Sequence, residues 1–130
     1  LYFGRAPARL DDVANFIPAR LAALLMVLAA WLLPHMDGRG AWRIFRPGRF
    51  QHKSPNSAQT EAVAAGALGI QLAGDAYYFG KLVHKPTIGD PGRPVEAQDI
   101  PRACRLLYLT SLLCLALCAG CRALILGGAL

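Results

Sequence analysis

Six consecutive residues have the composition of a phosphate-binding helix start. The run from His52 to Ser57 reads His-Lys-Ser-Pro-Asn-Ser and leads into a stretch of small and apolar residues. A helix N-terminus carries unpaired N–H groups and the positive end of the helix dipole, which together bind anions. His52 and Lys53 would add positive charge, and Ser54 and Asn56 would add donors. The same residues are also typical of a capped helix start, with Asn56 or Ser57 as the cap, and both interpretations stay open.

A second polar group lies near the N-terminus, where Asp11, Asp12 and Asn15 follow Arg9. Asn15 is four residues from Asp11 and three from Asp12, so a helix would place all three side chains on one face. Mg²⁺ accepts one or two carboxylates and completes its coordination with phosphate oxygens and water. The spacing therefore allows a magnesium site, although acids are also placed near a helix N-terminus to favour the helix dipole.

Candidate acid–base groups follow in the middle of the chain. Glu61 or Lys85 could act as a general base or acid if its surroundings moved its pKa, and Tyr78 and Asp90 are further candidates. Each of them could equally be structural. The sequence contains no P-loop, no GxGxxG pattern and no HExxH motif, so these residues alone do not identify the reaction class.

Three cysteines imitate a cluster-binding motif. Cys114, Cys118 and Cys121 have the spacing with which radical-SAM enzymes hold an iron–sulfur cluster. Here they fall at positions i, i+4 and i+7 of an apolar run that is predicted to be helical, where free cysteine packs as a small hydrophobe. We therefore expect neither an iron–sulfur cluster nor a disulfide framework.

The elements that position these residues are predicted to be helices close to a membrane. Leu21–Leu33 is apolar on every helical face, which no amphipathic soluble helix explains. Extended back to Phe16, it reaches the length of a membrane span, about 20 residues, provided that Arg20 snorkels or faces a protein interior. A buried core helix of a soluble domain is the alternative. A second apolar helix is predicted at about 106–126.

Composition favours a membrane over a nucleic-acid partner. The chain is 55% hydrophobic and only 17% charged, whereas a soluble domain carries about 25% charged residues. The net charge of +6 is concentrated just beyond the first apolar run, where cytoplasmic loops of membrane proteins carry their excess. The basic residues there are Arg39, Arg43, Arg46, Arg49 and Lys53.

The polar segment 35–105 is predicted to bear the site. Asp37–Phe50 has no period and is interpreted as a connector. From Asn56 the pattern is helical, either a short span or a re-entrant segment, with small residues on one stripe for close helix packing: Ala62, Gly66, Gly69 and Ala73. Asp75–Pro94 is predicted to be mostly loop, and Asp99 to cap the last helix. No strand is predicted.

Three motifs in one order carry a resemblance to a known family. They are Arg9-Leu10-Asp11-Asp12 with Asn15, Ile17-Pro18-Ala19-Arg20-Leu21, and the segment His52–Gly92. In these motifs the chain resembles the adenosylcobinamide-phosphate synthases, the CobD/CbiB family of cobalamin-biosynthesis membrane proteins. One departure is Ser57-Ala58-Gln59-Thr60, where the family usually has Gly and an aromatic residue after Asn-Ala, so the local backbone is expected to differ.

The resemblance implies an all-α, polytopic helical protein of the cell (inner) membrane, with re-entrant or loop segments at its active site. The chain would be the C-terminal portion of a single membrane domain, and the missing N-terminal half would add spans. The implied enzyme is an ATP-dependent ligase. It joins aminopropanol O-phosphate to the free propionate of adenosylcobyric acid, giving adenosylcobinamide phosphate. Mg²⁺ and ATP are the implied cofactors, and the bilayer, the two substrates and other cobalamin-pathway enzymes are the implied partners.

The resemblance also suggests roles for the candidate residues. Catalytic roles would belong to Glu61, Lys85 and Asp90. Substrate or phosphate would be bound by Arg9, His52, Lys53, Ser54, Asn56 and Tyr78, and the metal by Asp11, Asp12 and Asn15. A corrinoid would need a broad apolar surface, for which the candidates are Trp42, Tyr77, Tyr78 and Phe79.

Two other function classes remain as alternatives. The first is a non-catalytic membrane subunit that docks or channels corrinoid intermediates. The second is a transporter fragment, which would need ionisable groups inside its spans. Only Arg20 and Arg122 come close to meeting that requirement.

Overall fold

The computed structural model describes residues 4–52 and 54–127, which are mostly helical, as predicted. The helices are α1 (Arg5–Ala14), α2 (Phe16–Leu32), α3 (Gly38–Gly48), α4 (Ala58–Leu68) and α5 (Asp99–Gly127). The strands are β1 (Leu72–Ala73), β2 (Ala76–Tyr78), β3 (Lys81–Val83) and β4 (Thr87–Ile88), and they pair antiparallel as β1 with β4 and β2 with β3. Lys53, which was predicted to bind phosphate, lies outside the described residues.

The two apolar helices predicted from the sequence are present as α2 and α5. Leu33 leaves the helical conformation and becomes extended immediately before Pro34, because a residue that precedes proline is driven out of the α region. Helix α5 is long and apolar enough to cross a membrane, and only 6% of its most apolar 18-residue stretch is buried. Helices α1 and α2 reach the length and apolarity of a span only when taken together, as a pair bent by 44° at Asn15.

The prediction that Asp37–Phe50 is an aperiodic connector is wrong. Asp37 caps helix α3, since its Oδ1 accepts a hydrogen bond of 2.8 Å from the Gly40 N–H. Ala41, Ile44 and Phe45 form the buried face of α3, with the i, i+3, i+4 spacing of an amphipathic helix. The helical period of apolar residues is therefore present in α3. It extends over only about two turns, and its residues lie among glycines and arginines.

Helices α3 and α4 approach closely at two glycines. A methyl group on Gly66 would overlap the carbonyl oxygen of Gly40, so the close packing expected of the small-residue stripe is observed at this position. The stripe nevertheless ends earlier than predicted. Gly69 adopts a left-handed conformation with φ of 65° and terminates α4, and Ala73 therefore lies in β1. With 11 residues, α4 is too short to be a membrane span.

Two predicted helix caps are also wrong. Ser57 precedes α4 with helical dihedrals and without a side-chain cap, and the Asn56 side chain bonds to α1 instead. Asp99 is the first residue of α5, and its carboxylate accepts hydrogen bonds from Arg93 at 2.5 and 2.8 Å and from Arg102 at 3.0 Å. At the start of α5 the Asp99 carboxylate is thus occupied by two nearby arginines and by the Glu96 N–H, which donates to it at 2.9 Å.

The segment predicted to be mostly loop contains both strand pairs. Strands β2 and β3 form a hairpin in which Tyr78 pairs with Lys81. The turn residues Phe79 and Gly80 have φ of 50° and 75°, as a two-residue turn with two left-handed positions requires. Phe79 is an unusual residue for the first position, so no hairpin signal is visible in the sequence. Ile88 of β4 is 1% exposed and packs the β1–β4 pair against α3 and α4.

Candidate functional site

Two of the predicted motifs meet at the bend between α1 and α2. The Ser54 Oγ donates a hydrogen bond of 3.0 Å to Oδ1 of Asp12. The Asn56 Nδ2 donates one of 2.9 Å to the Asp12 carbonyl oxygen. The side chains of Ser54 and Asn56 thereby attach this segment to the last turn of α1, while the carbonyl oxygens of Pro55 and Asn56 accept hydrogen bonds from Gln59 of α4.

The acids predicted to bind metal have different partners. The Asn15 Nδ2 donates to Oδ1 of Asp11 at 2.8 Å and to the Asp11 carbonyl oxygen at 3.1 Å. Asp12 instead faces Ser54. Within residues 4–52 and 54–127, no group of three or more His, Cys, Asp or Glu side chains is placed to hold a metal ion.

The donor set at the bend still fits a magnesium ion. The Asp12 carboxylate and the Ser54 hydroxyl present oxygen atoms side by side, and Mg²⁺ is a hard cation that binds oxygen ligands. One carboxylate is sufficient when phosphate oxygens and water complete the coordination. Asp12 and Ser54 are therefore the residues that would hold Mg²⁺, whereas Asp11 is engaged by Asn15.

Arg20 belongs to the same place, although it was absent from the predicted site residues. Its Nη1 donates a bond of 2.7 Å to the Phe16 carbonyl oxygen and a weak one of 3.5 Å to Oδ1 of Asn56. We call Asp12, Arg20, Ser54 and Asn56 the helix junction. The signal for Arg20 was present in the sequence, as an arginine one turn inside an apolar run and within one of the three motifs.

His52 connects the helix junction to a second group of predicted residues. Its Nδ1 accepts a hydrogen bond of 3.1 Å from the Ser54 N–H, so the neutral ring carries its proton on Nε2. His52 also lines a cavity of about 300 Å³. The other lining residues are Gln51, Ala73, Val83, His84, Lys85 and Pro86.

Lys85 and Tyr78 are paired beside this cavity. The Lys85 Nζ donates a hydrogen bond of 2.5 Å to the Tyr78 hydroxyl oxygen and lies 4.4 Å from the centre of the tyrosine ring. The cavity thus brings together His52 and Lys85, which lie 33 positions apart and were predicted to be site residues. Its basic lining suits an anionic group.

A histidine–aspartate pair at the cavity was not predicted. The Nδ1 of His84 lies 2.8 Å from Oδ2 of Asp75, and the Lys85 N–H donates to Oδ1 of Asp75 at 3.1 Å. The hydrogen bond from His84, followed by that from the Lys85 backbone, lowers the pKa of Asp75 below its ordinary value of 3.8. Only the hairpin brings these residues together, so the sequence offered no signal for the pair.

Three predicted site residues lie apart from the helix junction. Asp90 forms an exposed ion pair of 2.6 Å with Arg43 of α3. Glu61 is exposed on the first turn of α4, and Arg9 is exposed on α1. Within the described part of the chain, none of the three makes a hydrogen bond or ion pair with a junction residue. Their catalytic and binding roles stay predictions.

The three cysteines that imitate a cluster-binding motif lie on one helix, as expected. Cys114, Cys118 and Cys121 are free thiols on α5, and Cys104 is a fourth. A helix holds its i, i+4 and i+7 side chains along one stripe, whereas a cluster needs thiolates that converge on iron. The absence of an iron–sulfur cluster stays a prediction.

Comparison with known proteins agrees with the family resemblance of the three motifs. The family model of the CobD/Cbib proteins matches residues 1–107. Over 109 residues, the chain is 60% identical to the cobalamin biosynthesis protein CobD of Geobacter metallireducens, covering 83% of this chain and 34% of that protein. CobD of Klebsiella pneumoniae is 52% identical over 97% of this chain and 39% of its own length. CbiB of Salmonella typhimurium is 50% identical over 92% and 37%.

The chain therefore spans little more than a third of the length of these curated relatives. We expected the relatives to be about twice as long as this chain, and they are longer still. No solved structure matches the chain.

Proposed function

The chain belongs to the CobD/CbiB family of cobalamin biosynthesis proteins, and from that premise we propose that it is part of an adenosylcobinamide-phosphate synthase. The proposed reaction joins the amine of aminopropanol O-phosphate to the free propionate of adenosylcobyric acid. The observation that carries the proposal is the hydrogen bond between Ser54 and Asp12. It joins a hydroxyl from the Ser-Pro-Asn segment to a carboxylate of the acidic motif, which together suit a magnesium-bound phosphate.

An amide bond cannot form directly from a carboxylate, which lacks a good leaving group. In the proposed reaction an oxygen of the substrate carboxylate first bonds to the terminal phosphorus of ATP, while the bond from that phosphorus to the bridging oxygen breaks and ADP leaves. The amine nitrogen then attacks the acyl carbon, the bond from that carbon to the phosphate oxygen breaks, and the amine proton passes to a base. Bound Mg²⁺ would supply charge neutralisation for the transferring phosphate.

The described side chains supply the remaining requirements. Asp12 and Ser54 would hold the metal ion. His52 and Lys85 place donors around the 300 Å³ cavity, where they would bind phosphate or stabilise negative charge on the acyl oxygen. Glu61, Lys85 and Asp90 remain the proposed acid–base residues. Asp90 would have to release Arg43 to act, because an ion-paired carboxylate is a poor base.

We also propose a multi-pass location in the cell membrane. The support is that α5 is long and apolar, and that its most apolar stretch is almost entirely exposed. Its large exposed side chains include Leu107, Leu112, Leu115 and Ile125. The bent pair of α1 and α2 provides a second apolar segment, and its bend lies at the helix junction.

Exposed aromatic residues would also serve a second candidate function, the docking or channelling of corrinoid without catalysis. Phe79 at the hairpin tip is fully exposed, and Tyr77 is 75% exposed. Such a surface could receive a large apolar ligand in either an enzyme or a docking subunit. A ligase of the proposed kind requires the Asp12 carboxylate for its reaction, whereas a docking subunit does not.

The test is an assay of the full-length protein in membranes with adenosylcobyric acid, aminopropanol O-phosphate, ATP and Mg²⁺. We expect the wild type to form adenosylcobinamide phosphate, identified by mass, while consuming ATP. Asp12→Asn should abolish the product, and the control Glu96→Gln, which removes an exposed charge elsewhere, should not. A membrane-inserted wild type that forms no product would overturn the ligase. An Asp12→Asn protein with normal turnover would show that Asp12 takes no part in the reaction, whereas a wild type that binds adenosylcobyric acid without consuming ATP or forming product would favour docking.

A further inference from the structure

We propose that Arg20 is an anion-binding residue that recognises a phosphate group at the helix junction. The proposal rests on the proposed function, because that function supplies two phosphate-bearing ligands, ATP and aminopropanol O-phosphate. The shared chemistry is a phosphate group with associated Mg²⁺. Two features of Arg20 point to this role, its unused donors and its fixed orientation, and a cleft lined by Asp12 and Phe16 lies beside the same junction.

Most of the hydrogen-bonding capacity of Arg20 is unused. A guanidinium has five N–H donors, and the two hydrogen bonds of the Arg20 side chain to described residues both come from Nη1. One of these, to Asn56, is long at 3.5 Å and therefore weak. Within the described part of the chain, no carboxylate lies within 4.0 Å of Arg20. A partly buried guanidinium without an acidic partner is a site for an external anion.

The orientation of Arg20 is fixed before any ligand binds. Its Nη1 is anchored to the Phe16 carbonyl oxygen at 2.7 Å, and its Cζ lies 3.3 Å from the centre of the Phe16 ring. Stacking on an aromatic face and a planar fork of donors distinguish arginine from lysine at oxyanion sites. The side chain therefore turns back toward the polar end of α2 and away from the apolar run.

A cleft of about 350 Å³ lies beside the helix junction, with Asp12 and Phe16 in its lining. The remaining walls are Val13, Ile17 and Pro55. This volume is at the lower end of the roughly 300–1,000 Å³ typical of small-molecule sites.

Asp12 sets a condition on phosphate binding. A carboxylate at the same cleft would repel a phosphate unless a cation is bound to it, and the oxygens of Asp12 and Ser54 suit Mg²⁺. We therefore expect phosphate binding to require Mg²⁺ and to depend on both Asp12 and Arg20. The alternative is that Arg20 merely snorkels to the end of α2, in which case ligand affinity would not depend on it.

The experiment is calorimetric binding to the full-length protein in lipid nanodiscs, with and without Mg²⁺. The ligands are ATP, aminopropanol O-phosphate and, as the phosphate-free comparison, aminopropanol. The variants are Arg20→Gln and Arg20→Lys, with Arg122→Gln as a control, since Arg122 is an exposed arginine on α5. Melting temperatures report whether each variant is folded.

We expect Arg20→Gln to weaken at least one phosphate-bearing ligand by about tenfold or more, the effect of losing a charge-assisted hydrogen bond. Arg20→Lys should fall between the wild type and Arg20→Gln. Aminopropanol should bind Arg20→Gln as it binds the wild type. The ligand that loses affinity identifies the phosphate, ATP or aminopropanol O-phosphate, that occupies the helix junction.

Unchanged affinities of Arg20→Gln for both phosphate-bearing ligands would overturn the proposal. An equal loss for aminopropanol, or an equal loss in Arg122→Gln, would overturn it as well. If Arg20→Gln is unfolded, Arg20→Lys decides, because a purely structural role predicts wild-type affinity for a folded lysine variant. A wild type that binds these ligands but forms no amide would refute the proposed function and leave the binding comparison decisive for Arg20.

Discussion

Ser54 donates a hydrogen bond of 3.0 Å to Asp12, from a position 42 residues further along the chain. The bond connects the last turn of α1 with the loop that precedes α4. Asn56 adds a second bond to the same turn, at 2.9 Å to the Asp12 carbonyl oxygen. The acidic motif and the Ser-Pro-Asn segment are therefore one structural unit, and substitutions in either are expected to affect the other.

Asp12→Asn should raise the Mg²⁺ requirement of the full-length protein or abolish product formation. The substitution removes one negative charge but keeps the size of the side chain and an oxygen that can accept the Ser54 hydrogen bond. Packing should therefore survive, and expression should stay normal. Asp11→Asn should be milder, because Asp11 is engaged by the Asn15 amide at 2.8 Å. A Mg²⁺ titration of activity for the wild type and both variants is the measurement.

Three superimposable titration curves would contradict the metal assignment. The acids would then be structural, and the metal would have to be sought among Glu61–Asp90 or in parts of the protein beyond this chain. Ser54→Ala provides a further comparison. It keeps the Asp12 charge but removes the hydroxyl, so its effect on the Mg²⁺ curve should be smaller than that of Asp12→Asn.

Long local patterns in the sequence predicted much of the helical fold. The apolar runs that form α2 and α5 are long and uninterrupted, so their helical structure could be predicted without knowledge of the tertiary packing. Helix α3 was missed because its buried face is short and lies among glycines and arginines that resemble a loop. The hairpin was missed because Phe79 stands where Asn or Gly usually adopts the left-handed conformation.

Most residues of the helix junction were predictable from the sequence, but Arg20 was missed and the arrangement was not predictable. Ser54, Asn56 and Asp12 were identified by type and spacing, as was His52. Their contacts depend on how α1 packs against a loop more than 40 residues away, and no local pattern encodes such a contact. For the same reason Asn56 or Ser57 was predicted to cap α4, a local role, whereas the Asn56 side chain bonds to α1.

Gly66→Ala should strongly destabilise the protein. The added methyl group would overlap the backbone of Gly40 and Ala41, and because these are backbone atoms the two helices would have to separate. We expect a cost of about 1–3 kcal/mol or more, as for other overpacked cores. Gly120→Ala is the matched control, since nothing lies within 4 Å of the added atom and alanine favours a helix by about 1 kcal/mol.

Thermal unfolding of the two glycine variants, in the same detergent, is the measurement. The melting temperature should fall for Gly66→Ala and stay constant or rise for Gly120→Ala. Equal melting temperatures for the wild type and Gly66→Ala would mean that α3 and α4 do not approach as closely as the structure shows.

Asp99→Ala should destabilise the protein far more than Asp90→Ala. The Asp99 side chain is 4% exposed and binds both Arg93 and Arg102. Arg93 also donates to the Leu68 carbonyl oxygen at 2.9 Å, so the pair fastens the segment before α5 to the end of α4. Removing Asp99 would leave two arginines without their shared acceptor.

Asp90 provides the control for this comparison, because it forms an exposed ion pair with Arg43. Exposed pairs of this kind contribute at most about 1 kcal/mol. Melting temperatures should therefore fall clearly for Asp99→Ala and little for Asp90→Ala, whatever happens to activity. A larger fall in the Asp90 variant would show that the Arg43 contact, and not the Arg93 contact, holds this region.

The pairing of Asp75 with His84 predicts an acid-sensitive hairpin. The folded pKa of Asp75 lies below its ordinary value of 3.8, chiefly because of the hydrogen bond from His84. A carboxyl group with a lowered pKa contributes stability that is fully present above the unfolded value and is lost as pH falls through the folded value. The hairpin contacts of Asp75 should therefore persist from neutral pH down to about pH 4 and weaken only in stronger acid.

His84→Gln should raise the Asp75 pKa toward its ordinary value. The rise should be incomplete, because the Lys85 N–H still donates to Oδ1 of Asp75. The measurement is carboxyl carbon NMR of aspartate-labelled full-length protein, with Asp75→Asn to assign the signal. His35→Asn is the control, since His35 is exposed, has φ of 64° and lies in the turn after α2, where asparagine also adopts this conformation. It should leave the Asp75 titration unchanged, whereas an unchanged titration in His84→Gln would mean that His84 does not hold the carboxylate.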